Sequence, residues 1–415
     1  MSDDLDGWGG AEFVLAADRL DTPDVVEAAD PSDMLRQVAS AAAQVRTALR
    51  SCAETDLSAF TPDARPRAMV VAGMGGSGLA GELLGAVTGS SSPVQVVTAQ
   101  TERLPGWIGA ADAVLAVSCS GTTPQTLAMA TEAARRGCRL AAVGAPGSPL
   151  QRIAEQARAP FVPVVPGVSG SLPRSMLWAT AIPLLVIAGR VGMTRIEPDV
   201  YELAASRLEE ISHQCRPASE SFVNPGKSLA LDLVGGLPMV WGTTPLSGVA
   251  ARRFASQLLQ NAKYPAIAGV LPEAANHQVA AFDGPFAPRS SRLAADGPAE
   301  PVSPLAAPDD LSGWDLDFEE EEETEPPSGF TPLRLILIAD PSEDQRVSAQ
   351  RAAVAELAEQ RGVGLSELAM DGEHPLVRLA GVIQLTDYAS VYLAIASGID
   401  PGQTVAIRDL KTRAE

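Results

Sequence analysis

The chain has 415 residues, a formal net charge of −20, 46% hydrophobic residues and only 4% aromatics. That length suffices for two domains with their own cores, and cores this poor in aromatics must be built from Ala, Val and Leu, which suits α/β layers better than a β-sandwich. The acidic balance argues against nucleic acid or an anionic membrane surface as a partner. Ten acids and no base fall between positions 309 and 325, so half of the excess lies in one stretch. An anionic substrate is still open to such a chain, because backbone amides act at close range while surface charge is screened over about 10 Å. Cys52, Cys119, Cys138 and Cys215 show no CxxC spacing and read as small buried or loop residues in a reducing compartment. Residues 1–10 carry Asp3, Asp4 and Asp6 and no apolar core, unlike a secretory signal. The longest apolar run, 175–189, is interrupted by Pro183 and closed by Arg190, too short for a membrane span. The expectation is a cytoplasmic protein.

In chain order, a 29-residue leading segment precedes a helix expected from Asp30 onward, with Asp30 or Ser32 as its cap. Strand-like AMVVA (68–72), the loop GMGGSG (73–78) and an Ala/Leu-rich helix follow. VQVVTA (94–99) and AVLAVS (113–118) read as further strands, the latter leading into SCSGTTP and a helix. Strands at 139–145 and 161–165 and an apolar helix from Ser175 complete a first parallel-sheet unit over 30–200. The alternation restarts with a strand at 237–244 and a helix expected from Ser247. It resumes after position 330 with strand 333–340, two helices and a short strand. A second unit is thus expected over 221–282 and 331–415. Between them, 283–330 is rich in Pro, Ala, Ser and acids, too polar to bury a core, and reads as a disordered insertion.

Two loops carry the chemistry. Residues 73–78 satisfy GxGxxG between a strand and a helix, but a dinucleotide site also places an acid at the end of the next strand, and here that strand ends Val97-Thr98-Ala99-Gln100. A glycine turn serving only strand–helix packing is the plain alternative. Residues 118–123 put four hydroxyls into six residues, again between a strand and a helix. Unpaired N–H groups and the positive end of a helix dipole at such a place hold phosphate without Lys or Mg²⁺. A Ser/Thr-rich capping turn is the structural alternative there. No Walker lysine follows either loop, which argues against nucleotide hydrolysis.

At these residues the sequence resembles the SIS (sugar isomerase) superfamily, in its bifunctional phosphoglucose/phosphomannose isomerase branch. The resemblance is carried in order by DPSDML (30–35), GMGGSGLAG (73–81), SCSGTTPQTL (118–127), LPRSMLW (172–178), the run 241–266, LPEAANHQ (271–278), SVYLAIASGIDP (390–401) and LK (410–411). It implies an α/β fold of two SIS-type, flavodoxin-like subdomains, each a parallel sheet flanked by helices. It also implies isomerisation of glucose 6-phosphate or mannose 6-phosphate to fructose 6-phosphate without a cofactor or metal. Carried over by residue, substrate and phosphate contacts fall on Gly75, Gly76, Ser77, Ser118, Ser120 and Thr123. Arg174 is implied to polarise the sugar oxygens at C1 and C2. His277 and Lys411 are implied in ring opening, with His277 supplied across a homodimer interface. The family's catalytic glutamate is replaced by Gln260 in Gln-Asn-Ala-Lys, and an amide cannot take the C2 proton. Glu273, four residues before His277, is the nearest substitute carboxylate. A sugar-phosphate-binding regulator or sensor that lost its base is therefore the second expectation, and a nucleotide-sugar or NAD enzyme the third. His213 and His374 are expected to face solvent, and Trp178, Trp241 and Tyr264 to pack.

Overall fold

The computed structural model describes residues 10–287 and 331–414. Most of the expected disordered insertion, with its acidic run, lies outside them. The chain opens with α1 (Gly10–Asp21), α2 (Pro23–Ala29), α3 (Met34–Ala39) and α4 (Ala41–Glu54). The single helix expected from Asp30 is two helices that meet at Ser40. The N-cap position is Asp33, not the expected Asp30 or Ser32, yet it is the Asp30 carboxylate that accepts the N–H groups of Met34 and Leu35 at 2.8 and 2.9 Å.

The first sheet follows, with β1 (Ala68–Ala72), α5 (Gly76–Thr88), β2 (Gln95–Ala99), β3 (Ala113–Ser118), α6 (Pro124–Arg135), β4 (Arg139–Gly144), α7 (Pro149–Gln156) and β5 (Phe161–Pro163). Its strands are parallel in the order β2-β1-β3-β4-β5. A short 3₁₀ turn, Pro173–Ser175, leads into α8 (Leu177–Arg190) and α9 (Pro198–Gln214). The second unit runs α10 (Pro225–Leu233), β6 (Leu237–Gly242), α11 (Pro245–Gln257), a π-helical turn Leu258–Ala262, β7 (Ile267–Val270) and α12 (Glu273–His277). It closes with β8 (Leu333–Ala339), α13 (Gln345–Gln360), β9 (Gly364–Ala369), α14 (Pro375–Ala396) and α15 (Val405–Ala414). This sheet is also parallel, ordered β7-β6-β8-β9. Each sheet therefore has the flavodoxin-like order in which the second strand lies outside the first.

The helix expected to begin at Ser247 starts two residues earlier. Thr244 is the cap and Ser247 its reciprocal partner three residues on, a capping box in which a serine takes the place usually held by Glu or Gln. One continuous apolar core joins the facing layers of the two units, from Met69 and Val71 through Trp178 and Phe254 to Ile336 and Tyr392. The outer face of each sheet has its own core, around Val114 and Met129 in one and Trp241 and Leu335 in the other. Among the described residues α14 alone is long and apolar enough to cross a membrane, yet 94% of its apolar window is buried inside the protein. Hydrophobic all round, it is the central strut of the fold.

Candidate functional site

The strand order of the first sheet reverses between β1 and β3, the place where open α/β sheets bind ligands. Both glycine- and serine-rich loops leave the sheet there. In the first, Gly75 adopts φ +55°, ψ −125°, with nothing within 4 Å of where a Cβ would stand. Gly76 faces similar open space, its nearest neighbour being the Pro173 carbonyl at 3.9 Å. Gly78 differs: a Cβ there would strike the amide of Gln100, just beyond β2, so it serves the close packing of α5 at that strand end. Gln100 thus fills the region where a dinucleotide site would need a ribose-binding acid. Ser77 is buried and its hydroxyl makes no hydrogen bond among the described residues.

In the second loop Ser118 is an internal tie. Its buried hydroxyl accepts the Gly121 N–H at 3.0 Å and shares a hydrogen bond with Thr123 at 2.9 Å. Gly121 sits at φ +67° with Ser148 pressed against it, so a side chain there is excluded. Ser120 and Thr122 pair at 2.9 Å and stand exposed at the loop tip. Of the expected contacts, Ser120 is therefore presented to solvent and Ser118 shapes the loop from beneath. Thr122, absent from the expected set, is as available as Ser120. The count of hydroxyls in the loop was the signal for it.

The electrostatics of the two units differ at equivalent places. The helices after β1 and β3, α5 and α6, have no side-chain cap. The Ser77 N–H in the first turn of α5 donates to the Met74 carbonyl at 3.1 Å, and α6 begins at Pro124, which has no N–H, so the remaining first-turn N–H groups have no side-chain acceptor. The helices after β6 and β8, α11 and α13, are capped by Thr244 and Asp344. The second crevice is also filled from within: buried Asp340 accepts the Thr244 hydroxyl at 2.7 Å and lies 3.2 Å from Arg378. Among the described residues, the first crevice lacks both the side-chain caps and the internal carboxylate that occupy the second.

Arg174 adjoins that crevice, in the 3₁₀ turn whose Pro173 carbonyl faces Gly76. It is buried. Its Nε donates to Asn261 Oδ1 at 2.7 Å, and Nη2 donates to the carbonyls of Pro401 at 2.5 Å and Gly402 at 3.0 Å. The two Nη1 protons are claimed by no described residue. Burial, with the Arg253 charge adding to it, pushes Arg174 down to about 10, well above neutral pH, so the guanidinium stays charged there. Gln260 lies one residue before Asn261 in the π turn, its amide donating back to Ser256 Oγ at 2.9 Å. Single π turns inside helices often mark functional sites. Lys263 ends the turn in the left-handed conformation and donates to the carbonyls of Asn261 and Asp400.

Three expected residues are not joined to this cluster by any hydrogen bond or ion pair among the described residues. His277 and Glu273 share α12, with Nδ1 and Oε1 3.6 Å apart and both side chains exposed. Their turn is pinned by the next residue, Gln278, whose Oε1 accepts the indole N–H of buried Trp241 at 2.6 Å. Lys411 lies on α15, where every position from Val405 to Arg413 is exposed. His213 is exposed as expected, but His374 is not free: it is half-buried, its Nδ1 caps α14 by accepting the Leu376 N–H, and burial lowers it. Among the described residues no cluster of three or more His, Cys, Asp or Glu is placed to hold a metal.

Two flavodoxin-like parallel sheets in one chain define a doubled α/β protein. Residues 222–413 match the family described as bacterial phospho-glucose isomerase C-terminal SIS domain. A bifunctional phosphoglucose/phosphomannose isomerase of Caldicellulosiruptor bescii is 25% identical, over 83% of this chain and 88% of the relative. One from Aquifex aeolicus is 26% identical, over 83% and 89%. Over most of its length the chain is thus similar to these bifunctional isomerases, and its second unit matches that SIS domain family. Among solved structures, a glucose-6-phosphate isomerase from Chlamydia trachomatis shares the fold at TM-score 0.62 and 14% identity, covering 97% of this chain and 84% of that one. The C-terminal domain of glucosamine-fructose-6-phosphate aminotransferase from Francisella tularensis does so at TM-score 0.59 and 13% identity, covering 89% and 98%.

Proposed function

We propose that the protein is an aldose–ketose isomerase of hexose 6-phosphates, converting mannose 6-phosphate or glucose 6-phosphate to fructose 6-phosphate. The observation that carries this reading is the contrast between the two crevices: helix starts without side-chain caps and exposed hydroxyls in one, capped helices and an internal carboxylate in the other. In this reading Gly75, Gly76, Ser77, Ser120, Thr122 and Thr123 receive the phosphate, with Ser118 holding the second loop in shape. Arg174 offers its Nη1 protons to the sugar oxygens at C1 and C2, where negative charge develops as the enediol(ate) forms. A base removes the proton from C2 and returns it to C1, while the hydroxyl proton on the C2 oxygen passes to the C1 oxygen and leaves the carbonyl at C2. His277 and Lys411 open the ring. The exposure of His277 fits its delivery from a second subunit, which makes the working form a homodimer, and that of Lys411 fits closure of α15.

Gln260 favours a second reading, a sugar-phosphate-binding protein without turnover, since positioned proton transfer supplies roughly 10²–10⁴-fold of rate. A coupled assay with both hexose 6-phosphates separates the two. Turnover lost in His277→Ala and kept in Glu273→Gln supports the isomerase and removes Glu273 as base. Turnover lost in Glu273→Gln assigns the base to it. No turnover, with binding that Ser120→Ala weakens, supports the binding protein.

A further inference from the structure

The Arg174 guanidinium is held in a closed ring of hydrogen bonds that spans the two units. Arg253 on α11 forks onto Asp387 of α14, with Nε and Nη2 at 3.0 and 2.8 Å from the two carboxylate oxygens. The same Nη2 donates to the Arg174 carbonyl at 2.7 Å. The Ser390 hydroxyl, one turn beyond Asp387, donates to the Asp387 carbonyl at 2.7 Å and accepts from Asn261 Nδ2 at 2.9 Å. Asn261 Oδ1 accepts from Arg174 Nε and closes the circuit. Every member is buried.

A buried ion pair is weak evidence for stability, because desolvation offsets its attraction, and such pairs are retained in some proteins for the geometry they impose. Here the geometry imposed is specific. The ring fixes the backbone of Arg174 through its carbonyl and one edge of its side chain through Asn261. It also ties down the π turn one residue after Gln260. A planar guanidinium gripped along its Nε edge keeps the Nη1 edge in a set orientation.

We propose that Arg253, Asp387, Asn261 and Ser390 are positioning residues, which orient Arg174 toward the sugar while leaving the phosphate cradle untouched. The proposal rests on the sugar-phosphate reading of the first crevice. Removing one partner of the pair would strand a buried charge, so the test replaces both, as Arg253→Met with Asp387→Leu. Titration calorimetry compares mannose 6-phosphate with inorganic phosphate as ligands. The double variant is expected to lose roughly tenfold in affinity for mannose 6-phosphate, the scale of one hydrogen bond to a charged group, with phosphate affinity unchanged. If it does not fold, Ser390→Ala carries the test: a smaller loss confined to the sugar ligand, recovered in Ser390→Thr, which restores the hydroxyl. Where turnover is present, kcat falls more than KM rises. Equal losses for both ligands, or no loss for either, overturn the positioning role. A wild-type protein that binds neither ligand overturns the sugar-phosphate reading itself, and the positioning role with it.

Discussion

Ser118 and Ser120 are two residues apart in one loop and do different work. Ser118 is buried and spends its hydroxyl on Gly121 and Thr123, whereas Ser120 stands at the exposed tip beside Thr122. Ser120→Ala is therefore expected to weaken mannose 6-phosphate and inorganic phosphate alike by about tenfold, the scale of one hydrogen bond to a charged group, with thermal stability nearly unchanged. Titration calorimetry with melting curves checks this, and Ser118→Ala should show the reverse emphasis, a lower melting temperature. Between these serines, Cys119 is half-buried, and burial pushes its thiol up to about 11. Cys52 and Cys215 are pushed up to about 12 and Cys138 upward as well. The reactive thiolate forms only as pH approaches these raised values, so at pH 8 it is a minor species at all four sites. A disulfide reagent at pH 8 is expected to label the folded protein slowly and four thiols once it is unfolded; rapid labelling of the folded protein would contradict these burials. At this scale the sequence was informative about chemistry and silent about direction. Four hydroxyls in six residues raised the expectation of an anion loop, but periodicity cannot say which of them turn inward. Nor did it mark Arg253 or Asp387, ordinary charges until α11 and α14 bury them against each other.

Elements were legible where local chemistry decides them. Strands β1, β3 and β8 are buried apolar runs bounded by Gly, Ser or Asp, and they lie where expected. Helix starts were less so, because several residues compete for the cap. Ser247 lost to Thr244, and His374 proved to be a cap where a solvent-facing residue was expected. The π turn had no sequence signal, since an added residue in a helix is selected by packing around Asn261. The N-terminal helix was also not foreseen. It is fastened by Lys227, fully buried on α10, whose Nζ donates to the carbonyls of Leu20 at 2.6 Å and Pro217 at 2.9 Å. The ammonium sits at the negative end of α1 and 5.8 Å from the Tyr392 ring. Lys227→Met is expected to destabilise the fold by about 2 kcal/mol and to speed amide exchange in α1 before elsewhere. Chemical denaturation and hydrogen exchange followed by mass spectrometry measure the two effects.

For the molecule as a whole, one core runs between the facing layers of both sheets, with α14 at its centre. The described residues are therefore expected to unfold in a single transition, with calorimetric and van't Hoff enthalpies in agreement; two resolved transitions would mean that the units are energetically separate. Two parallel-sheet units were visible in the sequence as a restarted alternation, whereas the order of strands within each was implied only by the family resemblance. The inequality of the two crevices was not visible, because it depends on Asp340 folding back onto Thr244. In the proposed reading the phosphate goes to the first crevice, beside Arg174 and the Gln260 turn. The most direct test follows fructose 6-phosphate formation from mannose 6-phosphate and glucose 6-phosphate by the wild-type protein and by Gln260→Glu. The account predicts slow turnover by the wild type and a rise of roughly 10²-fold or more in Gln260→Glu, as a positioned base is restored. Absence of turnover in both proteins would contradict it.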